Sequence, residues 1–319
     1  MEDISMSYVI GVDLGGTKIS CALADLSGNV IETQVVETIA SEGEIAVLNR
    51  IIGLIDKVMI TINITKDDIK AIGIGAPGPL DARSGIIIEP ANLPFTNFDL
   101  VTPIKDKFNI PVYLDNDANA AAVGEFMFGA GLGTKNMIYI TVSTGIGGGA
   151  ILNGQVYRGR TTNALEVGHT TVEPFSSARC NCGNLGCLES LSSGTAIARR
   201  AKDAVLSNID TSLKRYKILT SYEVFKEAEN GDKVAISIRD NALRYLGIGV
   251  TNIINTFDPD MVVIGGGVSK AGKIIFDKVK EVVNERGLKT ITSGCEIVPA
   301  KLGTDAGVIG AVALAILQI

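Results

Sequence analysis

The chain is short of positive charge, of long apolar runs, of cysteine and of histidine, and each shortage narrows what it does. Its 29 lysines and arginines are outnumbered by 35 aspartates and glutamates, for a formal net charge of −6. That balance offers no attraction to a phosphate backbone or an anionic membrane, so neither nucleic acid nor membrane is an expected partner and a small or neutral one fits better. No apolar stretch free of polar interruption is long enough to span a bilayer. The opening Met1-Glu-Asp-Ile-Ser has neither the basic start nor the apolar core of a signal peptide. Five unevenly spread cysteines suit a reducing cytoplasm better than a disulfide framework. What remains, 46% hydrophobic and 20% charged residues over 319 positions, describes a soluble globular protein of two domains.

The only histidine is where the sequence becomes specific. His169 lies in Glu166-Val-Gly-His169, eleven residues before Cys180-Asn-Cys182-Gly-Asn-Leu-Gly-Cys187-Leu-Glu189, so three of the five cysteines share one segment with the sole imidazole. One nitrogen and three sulfurs (His169, Cys180, Cys182, Cys187) complete a tetrahedral zinc site with no open position, the arrangement of a structural metal. Reduced thiols in a loop, or a disulfide, are the plainer alternatives, and the clustering of scarce residues argues against both.

Glycine is the opposite case, with 36 residues against nine prolines. Tyr8-Val-Ile-Gly-Val-Asp13-Leu-Gly15-Gly16-Thr17-Lys18-Ile-Ser-Cys-Ala-Leu is an apolar run, a polar glycine turn and a second apolar run, with another turn at Ser27-Gly28-Asn29. The pattern predicts a meander of antiparallel strands. It recurs over 137–157 around Thr144-Gly145-Ile-Gly147-Gly148-Gly149, so the chain reads as two copies of one design. Segments 44–58, 118–128, 194–206, 224–228, 234–257 and 307–317 read as helices, and 69–75, 110–114 and 261–264 as buried strands. Mixed sheets flanked by helices, twice over, give an α/β architecture of two lobes with a ligand cleft between them. The division drawn from this pattern is a smaller N-terminal lobe over 1–114, joined by the C-terminal helix 303–319, and a larger lobe over 115–302 that carries the zinc segment.

A glycine turn between strands exposes consecutive backbone N–H groups and can wrap a polyanion. Two such turns, 13–18 and 144–149, each supply a threonine (Thr17, Thr144), and Lys18 adds a cation. Facing each other across a cleft they would grip the phosphates of a nucleotide, with Asp13 suited to a water-mediated contact to magnesium. A third turn, Gly265-Gly266-Gly267, would let a nucleoside approach the backbone. Two look-alike spacings fail: Gly73-Ile-Gly75-Ala-Pro77-Gly78 has prolines where a dinucleotide-binding helix should begin, and Gly15-Gly16-Thr17-Lys18 lacks the lysine directly after glycine that a Walker motif requires. Phosphoryl transfer to a hydroxyl also needs a carboxylate to accept the proton. Asp117, between a strand end and a helix start, fits that role, and Asp115 is its rival. From position alone, helix capping is the commoner use of either.

Asp13-Leu-Gly-Gly-Thr-Lys18, Gly75-Ala-Pro-Gly-Pro79, Asn92-Leu-Pro94, Asn116-Asp117-Ala-Asn-Ala120, Thr144-Gly-Ile-Gly-Gly-Gly149, Glu166-Val-Gly-His169, 180–189, Gly265-Gly-Gly-Val268 and Gly303-Thr-Asp-Ala-Gly307 occur in an order that resembles the ROK family of sugar kinases and repressors, in its bacterial and archaeal glucokinase branch. The resemblance covers nearly the whole chain. It implies an actin-like ATPase (ribonuclease H-like) fold, ATP with Mg²⁺ in the interlobe cleft, and phosphorylation of a hexose, glucose first, on its 6-hydroxyl. It implies Asp117 as catalytic base and Asn92, Asn116, Asp117, Glu166, His169 and Glu189 as sugar contacts. ATP would meet Asp13, Gly15, Gly16, Thr17, Lys18, Thr144, Gly145, Gly147, Gly265, Gly266 and Gly267. A homodimer or homotetramer is also implied.

The chain departs from the family pattern at Leu165 and Ser143, where glycine is usual. Leu165 borders the sugar site, so N-acetylmannosamine, N-acetylglucosamine and fructose stand as alternative acceptors. A repressor of this family carries a DNA-reading helix-turn-helix ahead of the shared region, which the seven residues before Tyr8 do not supply. A noncatalytic sugar sensor would lack one of the catalytic parts, and here all are in place.

Overall fold

The computed structural model describes residues 7–319. One strand order is used twice. In the first sheet β1 (Tyr8–Leu14), β2 (Lys18–Asp25) and β3 (Val30–Glu37) form the antiparallel meander, and β4 (Ile69–Ala76) and β8 (Val112–Asn116) add parallel to β1, giving the order β3-β2-β1-β4-β8. In the second, β9 (Met137–Val142), β10 (Ile146–Leu152) and β11 (Gln155–Val156) form the meander, and β12 (Met261–Gly265) and β13 (Glu296–Pro299) add parallel to β9 in the order β11-β10-β9-β12-β13. A small sheet of β5 (Leu80–Asp81), β6 (Ile86–Ile87) and β7 (Phe98–Asp99) lies between β4 and β8 in the chain. The expected duplication and the α/β fold of two lobes are both present.

Helices cover both faces of each sheet, and the side-chain alternation shows which. On β9, Ile138, Ile140 and Val142 point into one core and Met137 and Tyr139 into another, as a period of two requires. The first face is covered by α5 (Gly194–Leu206), α6 (Ser221–Glu229) and α7 (Lys233–Phe257), with α4 (Leu188–Ser192), α8 (Lys273–Arg286) and α9 (Lys289–Thr292) beside them. The second is covered by α3 (Asp117–Phe128). In the first sheet Ile10, Val12 and Leu14 share a core with Val47, Ile51, Leu54, Ile55 and Val58 of α1 (Glu44–Thr61), and with Ile104 and Phe108 of α2 (Val101–Phe108). Val9, on the opposite face, packs with Val308, Val312 and Ala315 of α10 (Ala306–Ile316).

The two central helices, α3 and α10, pack against each other, and their composition explains how. Both are built of alanine, glycine and valine and are buried almost all round, so backbones approach closely. A Cβ on Gly310 would lie 2.4 Å from the carbonyl oxygen of Ala120, and one on Gly124 would lie 3.0 Å from Cα of Gly310. Gly73 is not a dinucleotide glycine. A Cβ there would meet the Ala311 carbonyl at 2.1 Å, so its work is to let α10 down onto β4.

Register then places the chemistry. Asp13 pairs with Gly75, and Gly75 with Asp115, so the carboxyl ends of parallel strands β1, β4 and β8 lie side by side, with Asp117 one residue past the end of β8. Thr141 near the end of β9 pairs with Gly265 at the end of β12. Carboxyl ends of strands are where ligands bind in sheets of this kind. The strand expected over 110–114 runs on to Asn116 because β4 continues beside it.

Candidate active site

A cavity of about 760 Å³ opens at these strand ends. Asn116, Asp117, Glu166, His169 and Glu189 all line it, so five of the six proposed sugar contacts converge from three separate chain segments. Asn92 does not join them. It is exposed and packs against Gly16, where an added Cβ would lie 2.8 Å from its own Cβ. Asn163, which no motif singles out, also lines the cavity. Its amide accepts from Leu80 N–H at 3.3 Å and donates to the Leu80 carbonyl at 3.0 Å, tying the 157–166 loop to β5.

The two rival aspartates are separated by their surroundings. Neither caps α3: Asn116 does, its Oδ1 accepting from Ala118 N–H at 2.8 Å. Asp115 is fully buried, accepts from Arg158 Nε at 2.6 Å, and uses its other oxygen for Asn116 N–H and Asn119 Nδ2, both at 2.8 Å. It has no oxygen to offer a substrate. Asp117 is the first residue of α3 and lies on the cavity floor, where solvent reaches the carboxylate from the cleft side while protein surrounds it elsewhere. That enclosure removes much of its hydration and pushes its pKa up to about 6, opposed by the Ala118 N–H and reinforced by the negative charges of Asp13 and Glu166. A carboxylate so tuned is a base with affinity for a proton near neutral pH.

The walls are fixed by identifiable contacts. Glu189 Oε2 accepts from Ile146 N–H at 3.0 Å, and a Cβ on Gly145 would lie 2.4 Å from that oxygen. His169 turns Nδ1 toward Cys180 Sγ at 3.4 Å and Nε2 toward Glu166 at 3.9 Å, so its two nitrogens serve different sides. Leu165, where glycine was expected, has φ +66°, a left-handed conformation in which a leucine is strained.

The cluster around His169 meets the requirements of a zinc site. The four donor atoms lie within 4.8 Å of one another. Cys182 Sγ and Cys187 Sγ are 3.7 Å apart, too far for a disulfide. That spacing equals the edge of a tetrahedron with Zn–S bonds of about 2.3 Å, which is about 3.8 Å. The donor set is complete without water, so a bound metal would be a clamp.

The phosphate turns are brought only partly together. The second turn spans Ser143-Thr144-Gly145; residues 146–152 belong to β10, because Gly147 pairs with Thr141 and Gly149 with Tyr139. Gly147 therefore lines the sugar-side cavity from a strand, and Gly149 lies where a Cβ would meet the Ala118 carbonyl at 2.7 Å. Thr144 also borders a neighbouring cavity of about 450 Å³ with Gly267, Gly194, Thr195 and Ser221. Of the third turn only Gly267 faces it. Gly265 abuts the Tyr139 hydroxyl, and Gly266 holds φ +89°. The first turn is closed by Gly15 N–H to the Lys18 carbonyl at 3.0 Å and leaves Thr17 and Lys18 exposed, yet Gly15, Gly16, Thr17 and Lys18 border neither cavity. Asp13 is the link between the turns: its charge acts on Asp117, and burial raises its own pKa against the pull of Lys18.

The model of the ROK family matches residues 9–318. The glucokinase of Halalkalibacterium halodurans is 38% identical over 311 residues, 96% of this chain and 94% of that protein. The xylose repressor of Caldicellulosiruptor bescii is 34% identical over 97% of this chain and 78% of its own length. The crystal structure of a ROK family glucokinase from Streptomyces griseus in complex with glucose and AMPPNP has a TM-score of 0.76 and 31% identity, covering 97% of this chain and 99% of that one. With the duplicated sheets, the cavity at their carboxyl ends and the histidine–cysteine cluster already in place, these likenesses along the whole chain establish that the protein belongs to the ROK family.

Proposed function

We propose that the protein is an ATP-dependent hexose kinase that phosphorylates glucose on its 6-hydroxyl. One observation carries the reading: Asp117, with a pKa of about 6, lies on the floor of a cavity walled by Asn116, Glu166, His169 and Glu189. Carboxylates and an amide suit hydroxyl groups, and Asp117 is the carboxylate of that ring whose proton affinity is raised. Asp117 takes the proton as the 6-oxygen attacks the γ-phosphorus in line; the new P–O bond forms as the bond to the β-phosphate oxygen breaks and ADP leaves. The turns at 13–18 and 143–145 would hold the phosphates, Asp13 would help hold the Mg²⁺ that neutralises them, and the 450 Å³ cavity beside Gly267 would take the nucleoside.

Zinc held by His169, Cys180, Cys182 and Cys187 supplies structural coordination, not bond-making. With Nδ1 committed to that cluster, His169 offers Nε2 to a sugar hydroxyl, and Glu189 is fixed beside it. Because the first turn borders neither cavity, the lobes, divided at 114/115 with 303–319 returning to the first, close over the substrates and exclude water. The working form is a homodimer or homotetramer in the cytoplasm; among the described residues no helix is long and apolar enough to cross a membrane.

The test is a coupled assay over glucose, fructose, mannose, N-acetylglucosamine and N-acetylmannosamine. Glucose should give the highest kcat/KM. If an acetylated amino sugar exceeded it more than tenfold, the glucose assignment would be wrong while the kinase reading survived.

A further inference from the structure

A cavity of about 990 Å³, larger than the 760 Å³ one that holds Asp117, lies apart from it. It lies behind the site, between the β5–β6 hairpin, α2, β8, the end of α10 and the loop after β11, so it touches elements from both halves of the chain. Its charge is one-sided. Arg83, Lys105, Arg158 and Arg160 line it, with no aspartate or glutamate among the lining residues, in a chain whose overall balance is −6. Arg158 is ion-paired to the buried Asp115 behind it, and Asp81, outside the lining, accepts the Arg83 backbone N–H and feels its charge. The Arg83 guanidinium reaches the Gly159 carbonyl at 3.4 Å, and the side chains of Lys105 and Arg160 make no hydrogen bond or ion pair with any described residue. Tyr113 and Tyr157 supply ring faces and hydroxyls on the same walls. Concentrated positive charge beside aromatic rings is the chemistry that recognises a phosphate ester on a polar ring.

We propose that this cavity binds a phosphorylated small molecule, a sugar phosphate in preference to a nucleotide, and that its occupancy is felt at the catalytic end. Two continuous routes lead there, one through hydrogen bonds and one along the chain. Arg158 donates through Nε to Asp115 at 2.6 Å, and Asp115 in turn holds Asn116 N–H and Asn119 at the start of the helix that carries Asp117. The terminal nitrogens of Arg158 have no partner among the described residues, so a phosphate can take them and redirect the guanidinium. The second route is the loop itself: Tyr157 to Arg160 border this cavity, and Asn163, Leu165 and Glu166, a few residues on, border the other. The binding claim stands by itself, and the coupling claim rests on the kinase reading above.

The experiment separates them. Fructose 1,6-bisphosphate, AMP and inorganic phosphate are titrated calorimetrically into the wild type and into a Lys105→Glu/Arg160→Glu variant, whose circular dichroism and turnover without effector should match the wild type. The bisphosphate should saturate one site on the wild type and bind the variant at least tenfold more weakly, with AMP weaker than the bisphosphate on the wild type. Equal affinity for the two proteins would overturn the site, because the ligand would then lie elsewhere, as would the lack of saturation by any probe at about 1 mM. AMP as the tighter, variant-sensitive ligand would overturn the preference for a sugar phosphate. For the coupling, saturating bisphosphate should change the KM for the sugar at least twofold in the wild type and not in the variant. Binding with unchanged KM and kcat would overturn that half alone.

Discussion

Asp117 supplies the prediction with the most structure behind it. Enclosure at the cleft floor and the charges of Asp13 and Glu166 raise its pKa to about 6 from an ordinary 3.8. If it must be ionised to accept the proton, kcat/KM follows its ionised fraction and falls about tenfold per pH unit below 6, to about a tenth of the plateau at pH 5. Glu166→Gln removes one of the charges that raise it, so the acid limb should move to lower pH even as sugar binding weakens. Asp117→Asn should cost roughly 10²- to 10⁴-fold in kcat. The same shift has a stability consequence of definite sign. A carboxyl whose folded pKa is raised stabilises the fold fully only below pH 3.8 and loses that contribution as pH rises through about 6. At pH 8 the ionised group therefore costs stability, at most about 3 kcal/mol from the shift and about 1 kcal/mol once the solvent reaching it from the cleft is allowed for. Asp117→Asn should then be more stable than wild type at pH 8 and indistinguishable at pH 4, read by chemical denaturation. The assay is kcat/KM from pH 4.5 to 8 with ellipticity recorded at each point. A profile flat down to pH 5, or an Asn variant with more than about a tenth of wild-type turnover, would refute the assignment of the base.

Other consequences follow from single contacts. Gly310→Ala puts a Cβ 2.4 Å from a backbone oxygen of α3 that has nowhere to go, and should destabilise by about 1–3 kcal/mol in urea unfolding. Gly145→Ala meets instead the movable end of Glu189, so stability should hold while the KM for sugar rises severalfold. Leu165→Gly relieves about 1 kcal/mol of left-handed strain but gives up about 2–3 kcal/mol of buried side chain, a net loss of about 1–2 kcal/mol. It should also widen the cavity and improve kcat/KM for N-acetylated sugars relative to glucose. Chelation, or Cys182→Ser, should lower the melting temperature and sugar affinity while a single-turnover measurement at saturating sugar leaves the phosphoryl-transfer rate within about threefold of wild type.

What could be read without coordinates was whatever a short motif carries alone. The meanders and the His169–cysteine cluster were legible from spacing and residue type, whereas Asp117, Glu166, His169 and Glu189 were named as a base and sugar contacts through the family resemblance, and the structure lines one cavity with all four. Asn92 was legible only as part of a motif, and its side chain lies against Gly16 outside the cavity, since nothing in Asn-Leu-Pro specifies which lobe face it meets. Gly147 read as a turn residue because a glycine run hides where a turn ends and a strand begins. Register against Thr141 decides it. The positions of Arg158 and Asn163 depend on a loop crossing back to Leu80 and Asp115 over sequence distances of 83 and 43 residues. No local pattern encodes such contacts. Gly73 illustrates the converse, a spacing that mimicked a nucleotide motif while its actual neighbour, the Ala311 carbonyl, comes from the far end of the chain.

Asp115 and Asp117 show why burial has to be asked about direction as well as amount. Both are carboxylates beside the same helix start, but Asp115 is fully buried while Asp117 is open to the cleft. Asp115 is sealed in with a guanidinium and two N–H donors, so both its oxygens are engaged and removing the guanidinium would leave a buried charge uncompensated. Asp117 faces outward into the cleft with only backbone N–H donors, those of Ala118 and of Asp117 itself, and two negative neighbours, so it lacks a counter-charge. A proton is the missing partner, and the substrate hydroxyl brings one. Exchanging the two environments would exchange the two roles: the fold keeps one aspartate content so that the helix stays put, and leaves the other wanting so that the reaction has a base.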